Sequence, residues 1–301
     1  MSHHHSHNDT INKKNLLYAT LLNLVISGAE FVGGVLSGSL ALISDALHNL
    51  GDAFATLIAY IAALISGKKT NSKNTFGLIR VEIFAALINA VILIVISLYL
   101  FVEAYRRLQQ PVEINSRIML IVASIGLVAN VLALFLLHKD SEKSINVRAA
   151  YLHLIGDSLS SVVVIIGGVL IMFFEIYWVD PVITFIIGIY ILKETYSILK
   201  ESVDILMQKT PPNVDIAMIK QEVEKVDGVK NMHHIHAWNL NDQKIYLDSH
   251  IDTLNDLPLS EVNTVRKRIE DLLKHQFGVD HITLQFEYKE DDDKDMINRK
   301  G

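Results

Sequence analysis

Between Leu16 and Leu199 the chain is built from six runs of about twenty mostly apolar residues. Wound as an α-helix at about 1.5 Å per residue, each run covers the roughly 30 Å of a bilayer's hydrocarbon core. In lipid every backbone N–H and C=O must find its partner inside the segment, so each run is read as a membrane-spanning helix. The expected spans are Leu16–Leu36, Leu40–Ile65, Ile83–Tyr105, Ile118–Leu137, Ala149–Phe174 and Val179–Leu199. After about Val203 the pattern becomes mixed and amphipathic, with frequent charges. Four regions follow: a polar, His-containing N-terminal tail (1–15), a six-helix transmembrane domain (16–202), a soluble domain (203–288) and a charged tail (289–301). The tail EDDDKDMINRKG has no apolar period and is expected to be solvated and disordered.

Charge in the connections sets the orientation. One side carries Lys13, Lys14, Lys68, Lys69, Lys73, Arg80, Lys139, Lys143 and Arg148, and the other only Arg106, Arg107 and Arg117. The positive-inside rule then puts both termini and the soluble domain in the cytoplasm. The polar first 15 residues do not read as a cleavable signal peptide. A net charge of -6 argues against a nucleic-acid partner. With no cysteine in the chain, thiolate ligands and disulfides are excluded, so any metal site must use His, Asp, Glu, Asn or backbone.

Against this apolar background the polar residues stand out. LHNLGD (Leu47 to Asp52) lies in the second span, with Asp45 just upstream, and LHLIGD (Leu152 to Asp157) lies in the fifth. An Asp at mid-span costs about 3 kcal/mol, so Asp45 and Asp52 together cost about 6. Each motif sets His at i and Asp at i+4, which puts both side chains on one helix face about one turn apart. If the two faces meet, His48, Asp52, His153 and Asp157 supply four N/O ligands, the count of a tetrahedral Zn²⁺ site. The cation would neutralise the carboxylates and make both helices tolerable in lipid. Gly51 and Gly156, each just before its Asp, would allow close helix approach. Asn23, Glu30, Asn89 and Asn130 are further polar positions in spans one, three and four, fit to line an aqueous path or to support the ligands. For each of them singly, a structural hydrogen bond serves equally well.

These residues resemble the cation diffusion facilitator family. The likeness runs through GGVLSGSLALISDALHNLGD, FGLIRVEIFAALIN, NVRAAYLHLIGDSLSSVVVI and WVDPVITFIIGIYIL, then GVKNMHHIHAWNL, LDSHIDT and DHITLQFE. The resemblance implies a homodimeric exporter in a membrane, expected to be the bacterial inner membrane, that exchanges Zn²⁺, and also Cd²⁺ or Co²⁺, for protons. His48, Asp52, His153 and Asp157 would form its transport site, and the His at the head of the second-span motif resembles members that prefer zinc. Two features depart from the family. Leu78 stands where many members have a histidine after FG, and GKKTNSKNT has no His, Asp or Glu for a loop metal site. An intramembrane metallohydrolase would need an open metal position and a motif such as HExxH, which is absent, so no enzyme activity is expected. A membrane zinc sensor, or a zinc channel without proton coupling, is the alternative.

The soluble region reads as helix (IAMIKQEVEKV), strand (NMHHIHAWNL), turn (NDQ), strand (KIYLDSHIDT), helix (LSEVNTVRKRIEDLLKHQF) and strand (ITLQFEY). This αββαβ order suits an α+β domain with helices on one sheet face, similar to the metallochaperone-like, ferredoxin-like cytoplasmic domain of the family. Strand alternation places His234 and His236 on one face and His233 on the other. The resemblance implies zinc ligands at His233, His250 and Glu287, with His281 as a further candidate. Asn263 and Gln285 stand where the family's binuclear site has ligands, which favours a single ion.

Overall fold

Six helices form wherever the apolar runs lie. A computed structural model describes residues 13–66, 72–141, 145–290 and 294–297. The HHHSH segment and residues 67–71 of the basic connection lie outside the described residues. The helices are α1 (Lys13–Ser37), α2 (Leu40–Ser66), α3 (Val81–Gln109), α4 (Ser116–Ser141), α5 (Ile145–Phe174) and α6 (Val179–Leu206). Among the described residues, α3, α6, Ser116–Phe135 of α4 and Tyr151–Phe174 of α5 are long and apolar enough to cross a membrane. In α1 a shorter apolar stretch, Asn23–Ser37, is found. Asp45, His48, Asn49 and Asp52 fall within about two turns of α2.

Large apolar side chains on this helical unit point outward, among them Tyr99, Ile121, Phe135 and Phe173. Its interior carries small residues such as Ala41, Ala46, Ala104 and Ala123 alongside Leu42, Met119 and Val164. Bilayer helices pack in this way: with lipid as solvent, small residues bring backbones together and large ones face the acyl chains. Several buried polar groups tie the helices to one another. Asp180, at the start of α6, accepts hydrogen bonds from Ser39 Oγ (2.5 Å) and from the backbone N–H of Leu40 (2.8 Å) and Ala41 (3.2 Å). These N–H groups open α2 and have no partner within their own helix. A carboxylate from a distant helix therefore caps α2 and matches the positive end of its dipole. Arg107 donates to the carbonyl of Gly38, in the bend between α1 and α2.

The soluble domain holds α7 (Ile216–Val223), β1 (Val229–Asn239), β2 (Ile245–Thr253), α8 (Leu259–Phe277) and β3 (His281–Glu287), in the expected αββαβ order. The three strands lie in the order β1-β2-β3, with β1 and β2 antiparallel and β2 and β3 parallel. Asn241 Oδ1 closes the hairpin turn by accepting from Gln243 N and Lys244 N. Asp215 caps α7 by accepting from Met218 N, and Gly278, at φ 66°, ends α8 in the left-handed conformation glycine favours. Ile219, Val223, Ile269 and Leu273 of the helices pack on Met232, Ile235, Leu247 and Ile251 of the sheet.

The chain divides into two units: residues up to Ile61 together with Ala85–Leu199, and Ala62–Phe84 together with Lys200 onward. The segment Ala62–Phe84, expected inside the membrane domain, thus groups with the soluble one, and Phe76 stacks edge-on against Tyr246 with ring centres 5.8 Å apart. The charged tail also departs from expectation. His234 N donates to Asp295 O (3.2 Å) and Ile235 N to Met296 O (2.9 Å), so this part of the tail lies along β1. Met296 also packs against the domain core, adding an apolar contact inside a charge-rich stretch.

Candidate metal centre

The two HxxxD motifs face one another across antiparallel helices. Along α2, His48 Nε2 lies 3.5 Å from Asp52 Oδ2, and along α5, His153 Nε2 lies 3.6 Å from Asp157 Oδ2. Between the helices, His153 Nε2 is 3.2 Å from Asp52 Oδ2 and His48 Nε2 is 3.9 Å from Asp157 Oδ1. The two rings meet edge-on with centres 5.9 Å apart. Each imidazole therefore faces both carboxylates, and all four residues singled out in the spans converge. His48 and Asp157 are buried, whereas Asp52 and His153 remain partly accessible.

Among the described residues, no hydrogen bond reaches either ring nitrogen of His48, either carboxylate oxygen of Asp157, or Oδ2 of Asp52. A buried polar atom left without a partner costs about 1–3 kcal/mol, more for a charge, so such a cluster calls for a cation. Two imidazoles and two carboxylates on two rigid helices form a donor set suited to a tetrahedral divalent ion. Metal and protons would then compete for the same ring nitrogens and carboxylates.

Two residues of α6 join this cluster. Glu194 Oε2 lies 3.7 Å from His48 Nε2, and Tyr190 donates its hydroxyl to Glu194 Oε1 at 2.7 Å. The Tyr190 ring rests edge-on against His48, with centres 6.0 Å apart. Gly156 leaves room for it, since a Cβ there would sit 3.1 Å from the Tyr190 hydroxyl oxygen. Gly51 does the same for Leu93 of α3, and its carbonyl accepts from Asn89 Nδ2 at 3.2 Å. The motif glycines thus admit side chains from neighbouring helices. The other polar positions support the cluster from behind. Asp45 accepts from Ser160 and Ser161 of α5, and Glu30, buried beside Gly126 of α4, accepts from Asn49 at 3.4 Å. Glu194 escaped the sequence reading because the adjacent Lys193 and Glu194 in ILKETY resemble the ordinary polar end of a span.

A second cluster forms in the soluble domain. β1 and β2 pair His233 with His250, and β2 and β3 pair His250 with Gln285 and Asp252 with Glu287. His250 Nδ1 lies 2.6 Å from Glu287 Oε1, and His233 Nε2 lies 3.5 Å from Glu287 Oε2. Gln285 donates to Glu287 Oε1 at 2.8 Å, and so holds that carboxylate beside His250. The alternation expected for the histidines fails at one residue. A bulge between His233 and His236 turns His234 to φ 48° and brings it beside His233. Ligand nitrogens of His233, His234 and His250 all lie within 4.8 Å of one another. His281 does not join them: it pairs with Tyr246, whose ring is 4.8 Å away, four strand positions or about 13 Å from Gln285. Lys294, on the docked tail, brings its Nζ to 3.1 Å from Asp252 Oδ1, 3.4 Å from His233 Nε2 and 3.5 Å from Glu287 Oε2.

Comparison with known proteins bears out the family read from the motifs. Residues 16–207 match the cation efflux transmembrane domain, and residues 211–289 match the cytoplasmic domain of cation efflux proteins. The chain is 39% identical to the cadmium, cobalt and zinc/H(+)-K(+) antiporter of Bacillus subtilis, covering 94% of this chain and 91% of that protein. It is 37% identical to the zinc transporter ZitB of Pectobacterium atrosepticum, covering 97% and 91% of the two chains. It is 38% identical to the metal cation efflux system protein CzcD of Cupriavidus metallidurans, covering 95% and 89%. With both domains matched and the likeness running nearly end to end, the chain belongs to the cation efflux family, a family of multi-pass membrane transporters and not of enzymes.

Proposed function

We propose that this protein exports Zn²⁺ from the cytoplasm in exchange for protons, with His48, Asp52, His153 and Asp157 as the transport site. The carrying observation is the convergence of four ligand side chains from α2 and α5, with hydrogen-bond capacity left unused at their meeting point. Two nitrogens and two oxygens in a small buried cluster suit Zn²⁺, and they tolerate Cd²⁺ or Co²⁺. The names of the B. subtilis and P. atrosepticum relatives support the same ions and, for the former, coupling to protons. Coupling follows from competition. Metal binds neutral imidazole and ionised carboxylate, so loading the site releases protons and unloading it takes them up. A site that faces each side in turn converts that competition into antiport.

Glu194 is more exposed than His48 and 3.7 Å from it, so its carboxylate would attract a cation before the buried ligands take it. The reading extends to six membrane spans, to a bacterial inner-membrane location with both termini cytoplasmic, and to a homodimer held through the soluble domain. In that domain His233, His234, His250 and Glu287 form a regulatory site for a single divalent ion. The test is Zn²⁺ uptake into proteoliposomes with and without an imposed pH gradient. Uptake that rises with the gradient supports the antiporter. Flux indifferent to pH contradicts proton coupling and favours a channel.

A further inference from the structure

Lys294 occupies a position that the soluble metal site would need. Its ammonium lies within 3.5 Å of Asp252 Oδ1, His233 Nε2 and Glu287 Oε2, a ring of acceptors contributed by all three strands. Two backbone hydrogen bonds from the β1 bulge hold its neighbours, His234 N to Asp295 O and Ile235 N to Met296 O. Met296 anchors the same segment in the core. The bulge that brings His234 to the cluster is therefore also the place where the tail docks. We propose that residues 294–297 are a resident competitor for this site: the Lys294 ammonium stands in for the divalent ion, and metal binding expels it and loosens the tail from β1.

The physical grounds are charge and space. One ammonium offsets part of the charge of Asp252 and Glu287, which would otherwise be left close together. A metal bound through His233 and Glu287 sits about 2.0–2.2 Å from each, too close to leave the ammonium in place. Both cations draw on the same acceptors, so each weakens the other by the same factor. Metal arriving at the site must first release the tail, which lowers its apparent affinity by the fraction of time the tail is docked. Cytoplasmic metal would thereby be converted into a freed C-terminal segment, and the site would stay closed to metal at low concentration.

This inference rests on reading the soluble cluster as a metal site, and the experiment separates the two. The full-length protein carries Asp52→Ala with Asp157→Ala, to silence the membrane cluster, and is titrated with Zn²⁺ by calorimetry. Hydrogen exchange is followed at the His234 and Ile235 amides. Zinc should speed exchange at both amides, and Lys294→Met should bind zinc several-fold more tightly than the parent, while Lys294→Arg, which keeps the charge, should stay near it. Equal affinity in parent and Lys294→Met, or amides that exchange no faster with zinc, would overturn the competition while leaving the metal site standing. No zinc binding in either protein would overturn the metal site and the competition together.

Discussion

At the scale of single residues, the proposed transport site draws its four ligand side chains from two helices, and five of their buried polar atoms make no hydrogen bond among the described residues. Histidine at the head of each motif should set the preference for a borderline ion. His153→Asp replaces a nitrogen with oxygen and should move selectivity toward harder ions such as Mn²⁺, measured as relative uptake of Zn²⁺ and Mn²⁺ in vesicles. An unchanged ratio would remove histidine from the account of selectivity. Glu194→Gln keeps shape but removes charge, and should raise the KM for Zn²⁺ several-fold with turnover little changed. Unchanged KM would make Glu194 a bystander. The paired HxxxD residues were legible in the chain because an i, i+4 spacing is local, and helical geometry alone puts both side chains on one face. Glu194 and Tyr190 were not, since their closeness to His48 depends on how α6 packs, a fact of tertiary structure with no local spacing to announce it. His234 escaped for a related reason: strand alternation is a rule for regular strands, and the bulge that breaks it exists only through pairing with β2.

At the scale of elements, hydropathy and period predicted all six long helices and the αββαβ order. Both signals are carried within the segments themselves. Capping across helices is a different matter. Asp180 sits in WVDP at the start of α6, and nothing in that motif shows that its carboxylate ends up on the first turn of α2. Asp180→Ala would strip three donors of their acceptor and leave two helix-opening N–H groups without a partner. A hydrogen bond to a charged group is worth about 1.5–3 kcal/mol, so the loss should reach at least about 2 kcal/mol. It should appear as a lower melting temperature in detergent, and an unchanged melting temperature would show that the cap does not stabilise α2. Gly126 shows the same dependence between elements, because its missing side chain is what gives the Glu30 carboxylate its place against α4.

At the scale of the whole molecule, the hydropathy pattern shifts from continuous to mixed and amphipathic near residue 200, and the residues from Lys200 onward group apart from Ala85–Leu199. The grouping of Ala62–Phe84 with the soluble unit was not visible, because that segment interrupts the apolar runs without a pattern of its own. The tail was misread for a similar reason. Its composition is that of a solvated end, yet two backbone hydrogen bonds to β1, the Met296 contact and the Lys294 ion pairs hold part of it. The division of labour proposed here gives transport to the helical unit and regulation to the soluble one. Transport should therefore depend on Asp157 far more than on any single ligand of the soluble cluster. The most direct measurement is Zn²⁺ flux into proteoliposomes reconstituted with equal amounts of folded wild type, Asp157→Ala and His250→Ala. The account predicts no flux above empty vesicles for Asp157→Ala and residual flux for His250→Ala. Wild-type flux in Asp157→Ala would contradict the paired site at the centre of this account.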